Sequence, residues 1–253
     1  GNITLLAQGG IVQTADVGDI TVSAAGKSID LKAAAGISMG DGALTQSNNG
    51  NVRYEATAGT ITLGEISTGT AGTTTGQVAI IATAGSIVDL GTDTSAVDIT
   101  AAGLILTAGT AIGAGANHLD SSVSSISTRS ANGGTFITET DSVTVTALSL
   151  TVNHVSTSGA AASTSADTQE DLVSLGTDSH LVLVTGNGAI TVGGGTGTDG
   201  ISATGNILLS AQGAAGDITL NAAVLSTAGN ITLLAQGGIV QTADVGDITV
   251  SAA

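Results

Sequence analysis

Residues 1–25, GNITLLAQGGIVQTADVGDITVSAA, recur letter for letter as residues 229–253. Gly1 maps onto Gly229, so the period is 228 (229 − 1), and an identity of this length is not a coincidence. The chain holds one full unit, residues 1–228, followed by the start of an identical unit, residues 229–253. A parent protein with at least two such units is expected, and the sequence reads as a window cut from something longer. Tandem repetition restricts the fold, because every unit must join the next with the same geometry. An open stack meets that demand, whereas a closed globule ends after one core.

A shorter motif, Gly-x-aliphatic-x-aliphatic, runs inside the unit. It occurs as GNITL from Gly1, GDITV from Gly18, GTITL from Gly59, GQVAI from Gly76, GAITV from Gly188 and GDITL from Gly216. Gly1 to Gly18 and Gly188 to Gly205 share a spacing of 17, and Gly50 to Gly59 and Gly76 to Gly85 share a spacing of 9. The residues alternate: Ile3/Leu5, Ile20/Val22, Ile61/Leu63 and Ile218/Leu220 fall on one face and Thr or Asn on the other. Period-two alternation predicts short strands with one buried and one wet face. Gly, Ser, Asn and Asp between them supply turns, and no window carries helical periodicity with caps. Two or three strands per turn predict coils of roughly 17–25 residues stacked at about 4.8 Å, hence about 11 coils and about 55 Å per unit. Proline is absent, as expected where every strand must donate its N–H groups to a neighbouring coil. Ser156 to Glu170, STSGAAASTSADTQE, lacks the alternation and reads as an external loop, 156–170, between strands near Leu148–Val155 and Leu172–Leu175.

Composition agrees with a thin core. Aromatic residues make up 1% of the chain, Phe136 and Tyr54 alone, so Ala, Val, Ile and Leu must fill the interior. Twenty acids against four bases (Lys27, Lys32, Arg53, Arg129) give a net charge of −16. Nucleic acid and anionic membrane need clustered cations and are poor partners, while the acidity keeps a long rod soluble. There is no cysteine, which excludes a disulfide scaffold and thiolate metal sites. No run approaches the roughly 18 apolar residues of a membrane span.

The segments GNITLLAQGGIVQTAD, GKSIDLKAAAGISMGDGALTQ and GNILLSAQGAAGDITLNAAV resemble the repeats of filamentous haemagglutinin-like adhesins, large proteins that Gram-negative bacteria export by two-partner secretion. The likeness lies in strand and turn pattern and covers most of the chain. It implies an all-β, right-handed parallel β-helix, elongated and uncapped, at the cell surface or secreted. The secretion domain and any effector of such proteins lie outside this text, which resembles the shaft.

Several short patterns match catalytic or binding motifs but lack the required context. Gly36-Ile37-Ser38-Met39-Gly40 matches the hydrolase G-x-S-x-G, yet a turn and strand follow where the nucleophile elbow needs a helix. Gly195-Thr196-Gly197-Thr198-Asp199-Gly200 matches the dinucleotide fingerprint, again without the helix that holds the pyrophosphate. His118, His154 and His180 have no metal-ligand spacing; His118 with Asp120, and His180 with Asp178, are pairs and not triads. Acids gather at Asp89, Asp93 and Asp98, and at Asp167, Glu170, Asp171 and Asp178, without the spacing of a calcium loop. Asn2-Ile3-Thr4 and Asn230-Ile231-Thr232 are glycosylation sequons inside the strand motif, where a structural role is expected.

No catalytic, cofactor-binding or metal-binding residue is therefore assigned, and the cofactor expectation is none, with at most weak calcium binding. The expected function is a structural shaft of a repetitive bacterial surface or secreted fibre, a non-enzyme. Its expected partners are further copies, by end-to-end self-association or covalent continuation, and other cells or surfaces. A directly ligand-binding adhesive surface is the alternative, and a β-helical polysaccharide-degrading enzyme is less favoured with four bases and no repeated acid pair. Neither end of the text, Gly1 or Ala253, carries a cap.

Overall fold

The computed structural model describes residues 1–15, 17–91, 97–156, 158–177, 179–197, 199–242 and 245–251, with only the backbone of 161–165. These residues form 27 strands and no helix, wound as a parallel β-solenoid of about nine turns. In the first half, each turn contributes one strand to each of three columns. Column one stacks Ile3–Ala7, Ile29–Ala33, Val52–Ala56, Gln77–Ala82 and the second half of Ile99–Ala108. Column two stacks Ile11–Gln13, Ile37–Met39, Ile61–Leu63 and Ile87–Asp89. Column three stacks Ile20–Val22, Leu44–Ser47, Glu65–Ser67 and the start of Ile99–Ala108.

The register puts like on like. Leu5, Leu31 and Tyr54 follow one another, as do Ala7, Ala33, Ala56, Ala82 and Ala108 at the corner where column one ends. A corner leaves room for only a methyl group, which explains the run of alanines. Of the residues expected to face inward, Val22, Ile61, Leu63, Ile218 and Leu220 are buried. Ile3 and Ile20 pack partly buried against the core. Leu5 is 39% exposed because it lies in the first coil, while its register partner Leu31 is fully covered. Corner asparagines tie coils together. Asn2 Oδ1 accepts from Ser28 N at 3.0 Å, Asn51 Oδ1 from Gln77 N at 2.9 Å and Asn206 Oδ1 from Asn230 N at 2.8 Å. This is the structural use of the first sequon asparagine. At Gly50 a Cβ would collide with the Lys27 carbonyl, so the coil below forbids any side chain there.

Between residues 99 and 145 the winding changes. Ile99–Ala108 and Leu119–Ser130 each run through a corner, from column three into column one. The next strand, Thr135–Glu139, straddles two columns: Thr135 bridges Ile112, which stands on Ile87 of column two, and Ile137 pairs with Leu119 of column three. Column one then splits. Val143–Val145 covers Ser125 and Ile126, and Leu172–Ser174 covers Thr128 to Ser130. Three new columns rise from these strands to the end. They run through Leu181–Thr185, Ile207–Ala211 and Ile231–Ala235, through Ile190–Val192, Ile218–Leu220 and Ile239–Gln241, and through Asp199–Ala203, Ala223–Ser226 and Ile248–Val250.

This splice fixes the pitch of the unit. From Ile3 there are five steps up column one, half a turn onto Thr135–Glu139, and three more steps to Ile231. The unit thus takes eight and a half turns, or about 41 Å at the usual strand spacing. The expectations of about 11 coils and about 55 Å per unit are both too large. Coils lie at the upper end of the roughly 17–25 residues expected or just beyond it, with bonded positions 26 or 23 residues apart in column one, and one long excursion leaves the winding altogether. The extra half turn also places the second copy of the repeated text opposite the first.

That excursion corrects the external loop expected at 156–170. Residues 161–169 form a strand, Ala161–Gln169, antiparallel to Leu148–Val155. The resulting hairpin does not project into solvent. It lies along the solenoid axis over the outer face of column one. Thr151 O accepts from Asn51 Nδ2 at 2.9 Å, and Asn153 N donates to Ser28 Oγ at 3.1 Å. Leu148, Leu150 and Val152 form a second, small core with Ala79, Ile81 and Ile105, which point outward from column one.

Candidate functional site

The hairpin closes over the chain's densest charged cluster. Asp30, Arg53 and Glu55 point outward from neighbouring coils of column one. Alone they would be solvated, but the hairpin leaves the Arg53 side chain 7% and that of Asp30 2% exposed. Arg53 Nε donates to Asp167 Oδ2 of the hairpin at 2.6 Å, and its Nη2 donates to Glu55 Oε2 at 2.6 Å. A longer bond of 3.4 Å reaches Asp30 Oδ1, and Lys32 Nζ lies 2.8 Å from Glu55 Oε1. His154 Nδ1 approaches Asp30 Oδ2 to 3.5 Å without hydrogen-bond geometry.

The environment sets each charge. Burial by itself would push the Arg53 guanidinium down, but the carboxylates of Asp167 and Glu55 outweigh it and hold the cation firmly protonated. Burial raises Asp30, with Arg53 opposing. Glu55 is held below its ordinary range: burial opposes this, but Lys32 and Arg53 prevail. A cation whose donors are bonded to the protein's own carboxylates is a clamp, not an anion receptor.

A second acidic region lies where Asp41, Glu65, Asp89 and Asp98 line a cleft of about 220 Å³. Asp98 is pushed up to about 8, first by burial, with the backbone N–H of Asp120 opposing and Asp89 adding to the rise. Its Oδ2 accepts from Asp120 N at 2.8 Å, and Asp89 accepts from Asn117 Nδ2 at 2.9 Å. Asp93 falls outside the described residues.

The remaining acids do not converge. Asp167 serves Arg53, and Glu170 turns to the glycine-rich segment instead. There Thr196 donates to Glu170 twice, from its N–H at 2.7 Å and from its hydroxyl at 2.8 Å. A Cβ at Gly195 would collide with Glu170 Oε2. The would-be phosphate loop therefore already cradles an anion, the protein's own carboxylate; Thr198 lies outside the described residues. Asp171 sits at φ 68° with its carboxyl raised, chiefly by burial. Asp178 is outside the described residues. Among those described, no group of three or more His, Cys, Asp or Glu could hold a metal ion.

Ser38 is an exposed residue of the strand Ile37–Met39, in register with Val12 and Thr62, and not on an elbow. The three histidines are dispersed. His118 bonds Thr138 at 3.0 Å and stacks tilted on Phe136, burial lowering its pKa. His180 Nδ1 accepts from Asn206 N at 3.0 Å, and His154 lies in the hairpin.

One buried acid escapes the sequence reading. Glu139 is fully buried at the splice. It accepts from Ser121 Oγ at 2.5 Å, Val123 N at 2.9 Å and Asp141 N at 3.4 Å. Where Thr135–Glu139 cuts across the corner, no next-coil residue among those described is paired above Val123. The carboxyl supplies the missing acceptor, as a buried N–H requires. Burial pushes Glu139 up to about 7. Comparison with family models, with curated proteins and with solved structures finds no match to this chain.

Proposed function

We propose that this chain is a segment of the shaft of a long extracellular bacterial fibre, a structural protein that carries or spaces adhesive parts and catalyses no reaction. The observation that carries the reading is the solenoid whose text restarts after eight and a half turns, with strands at that restart ready to pair onward. Such a unit can be multiplied without limit, and each addition lengthens the rod by about 41 Å. The buried charges support a structural role, since Arg53 fastens the hairpin and Glu139 satisfies the splice. The resemblance of the strand motifs to filamentous haemagglutinin-like repeats supports a surface location.

Antibodies raised against residues 155–160 at the hairpin tip test this on the source cells by immunogold electron microscopy. Label on filaments outside the cell, repeating along their length, is the expected result. Label confined to the cytosol would refute the reading.

A further inference from the structure

Outside the hairpin, the described strands run around the axis, and a coil meets the next through its ladders. Stacked repeats of that kind couple to their nearest neighbours alone. The hairpin differs because its strands run along the axis. From Leu148 to Asn153 the extended chain covers about 17 Å, a little over three coil spacings. Over that height it fastens to four coils that follow one another in column one. In the first, Asn153 N donates to Ser28 Oγ at 3.1 Å, and Ser28 leads into Ile29–Ala33. In the second, Asn51 Nδ2 donates to Thr151 O at 2.9 Å and Arg53 Nε to Asp167 Oδ2 at 2.6 Å. In the third, Ala79 and Ile81 pack with Leu148, Leu150 and Val152. In the fourth, Ile105 joins that cluster, Gln169 Nε2 donates to Leu106 O at 3.1 Å, and Thr107 Oγ1 donates to Gln169 Oε1 at 2.6 Å. The hairpin's base continues into Val143–Val145 and Leu172–Ser174, which stand on Leu119–Ser130.

We propose that the hairpin is an axial strap: it makes the four coils between Ile29 and Ala108 open together, and it leaves the coils after the splice as the part of the unit that yields first. Two coils under the strap cannot part along the axis unless the strap lets go on one side of the gap, because its covalent strands are already extended and do not lengthen. Once it lets go, the buried Arg53 and Asp30 and the outward-facing Ala79, Ile81 and Ile105 lose their cover together. The ladders by themselves give no reason for the two halves to differ. Ile29–Ala33 pairs over its whole length with Val52–Ala56 on one side and Ile3–Ala7 on the other. Ile207–Ala211 pairs over its whole length with Leu181–Thr185 and Ile231–Ala235. The flanking strands Ile3–Ala7 and Ile231–Ala235 even share one sequence, ITLLA. The sheet therefore holds Ile29–Ala33 and Ile207–Ala211 alike, and the strap over the first is the difference between them.

The inference adds to the shaft reading the place where a fibre gives way. It is tested separately, because hydrogen exchange reports the opening of coils and not where the fibre is found. Native-state hydrogen exchange of the whole chain, read by mass spectrometry at rising urea concentration, compares the two strands directly. Amides of Ile29–Ala33 are expected to be protected about ten-fold or more beyond those of Ile207–Ala211. Ile29–Ala33, Val52–Ala56 and Gln77–Ala82 are expected to share one urea dependence. Leu150→Ser weakens the strap where Leu150 packs with Ala79 and Ile105, in coils other than that of Ile29–Ala33. It is expected to speed exchange at Ile29–Ala33 until most of the difference is gone, with Ile207–Ala211 unchanged. Arg53→Met, which loosens the strap through its ion pairs instead, is expected to do the same. Equal protection of the two strands in the unmodified chain would overturn the strap. So would a Leu150→Ser effect confined to Gln77–Ala82 and Ile99–Ala108, the result of packing without coupling between coils.

Discussion

Glu139 makes the splice depend on pH. Its carboxyl is fully buried, and its pKa rises from 4.5 in the unfolded chain to about 7 in the fold. The folded state therefore binds the proton more tightly. The stability this gives is present below about pH 4.5 and is lost as pH rises through about 7. A rise of that size corresponds to roughly 3 kcal/mol. Glu139→Gln keeps an acceptor oxygen for Val123 N and cannot ionise. Urea unfolding followed by circular dichroism at pH 5, 7 and 9 gives the difference between variant and parent at each pH. That difference should shift in favour of the variant by about 2.5 kcal/mol between pH 5 and 9, most steeply between about pH 5 and 7. Parallel curves, with a constant offset at all pH values, would refute the assignment of a buried, proton-binding carboxyl at the splice.

Asp98→Asn should act in the same sense over a window from about pH 4 to pH 8, because Asp98 is also raised, to about 8; an unchanged pH profile of the melting temperature would contradict it. Arg53→Met leaves Asp30 and Asp167 without their cation and should destabilise the hairpin by about 3–5 kcal/mol, read as faster proteolysis at residues 155–160 with the remaining solenoid intact. Tyr54→Phe removes one hydroxyl from the Gln13–Thr45–Tyr54 network and should cost about 1 kcal/mol in urea unfolding. Chelator should leave the thermal melt unchanged, and a drop of several degrees would reveal a structural cation.

The solenoid is legible in the sequence because Ile61/Leu63 and Ile218/Leu220 alternate with threonine and glycine recurs at their boundaries. Coil length is not, since it depends on corners that range from a single Gly64 between Leu63 and Glu65 to the long turn between Ser67 and Gln77. The splice is illegible for a related reason. Ile99–Ala108 and Leu119–Ser130 run through corners as single strands, and no local pattern shows that the next strand will straddle two columns. The strand 161–169 carries no signal of its own because its pairing comes from Leu148–Val155, and that partner makes the apolar contacts through Leu148, Leu150 and Val152. The charged cluster joins Arg53 to Asp167 across 114 residues, a separation that only the folded hairpin closes. Glu139 reads in sequence as one polar strand residue among many; its inward position follows from the corner it occupies.

Cryo-electron microscopy of a chain carrying two complete tandem units tests most directly whether one unit makes eight and a half turns, with the hairpin as a marker on each unit. Equivalent hairpin positions are expected about 41 Å apart along the axis and on opposite sides of the rod, apart from the gradual twist of the stacked strands. Hairpins on the same side, or an axial separation of about 55 Å as shorter coils would give, would contradict it.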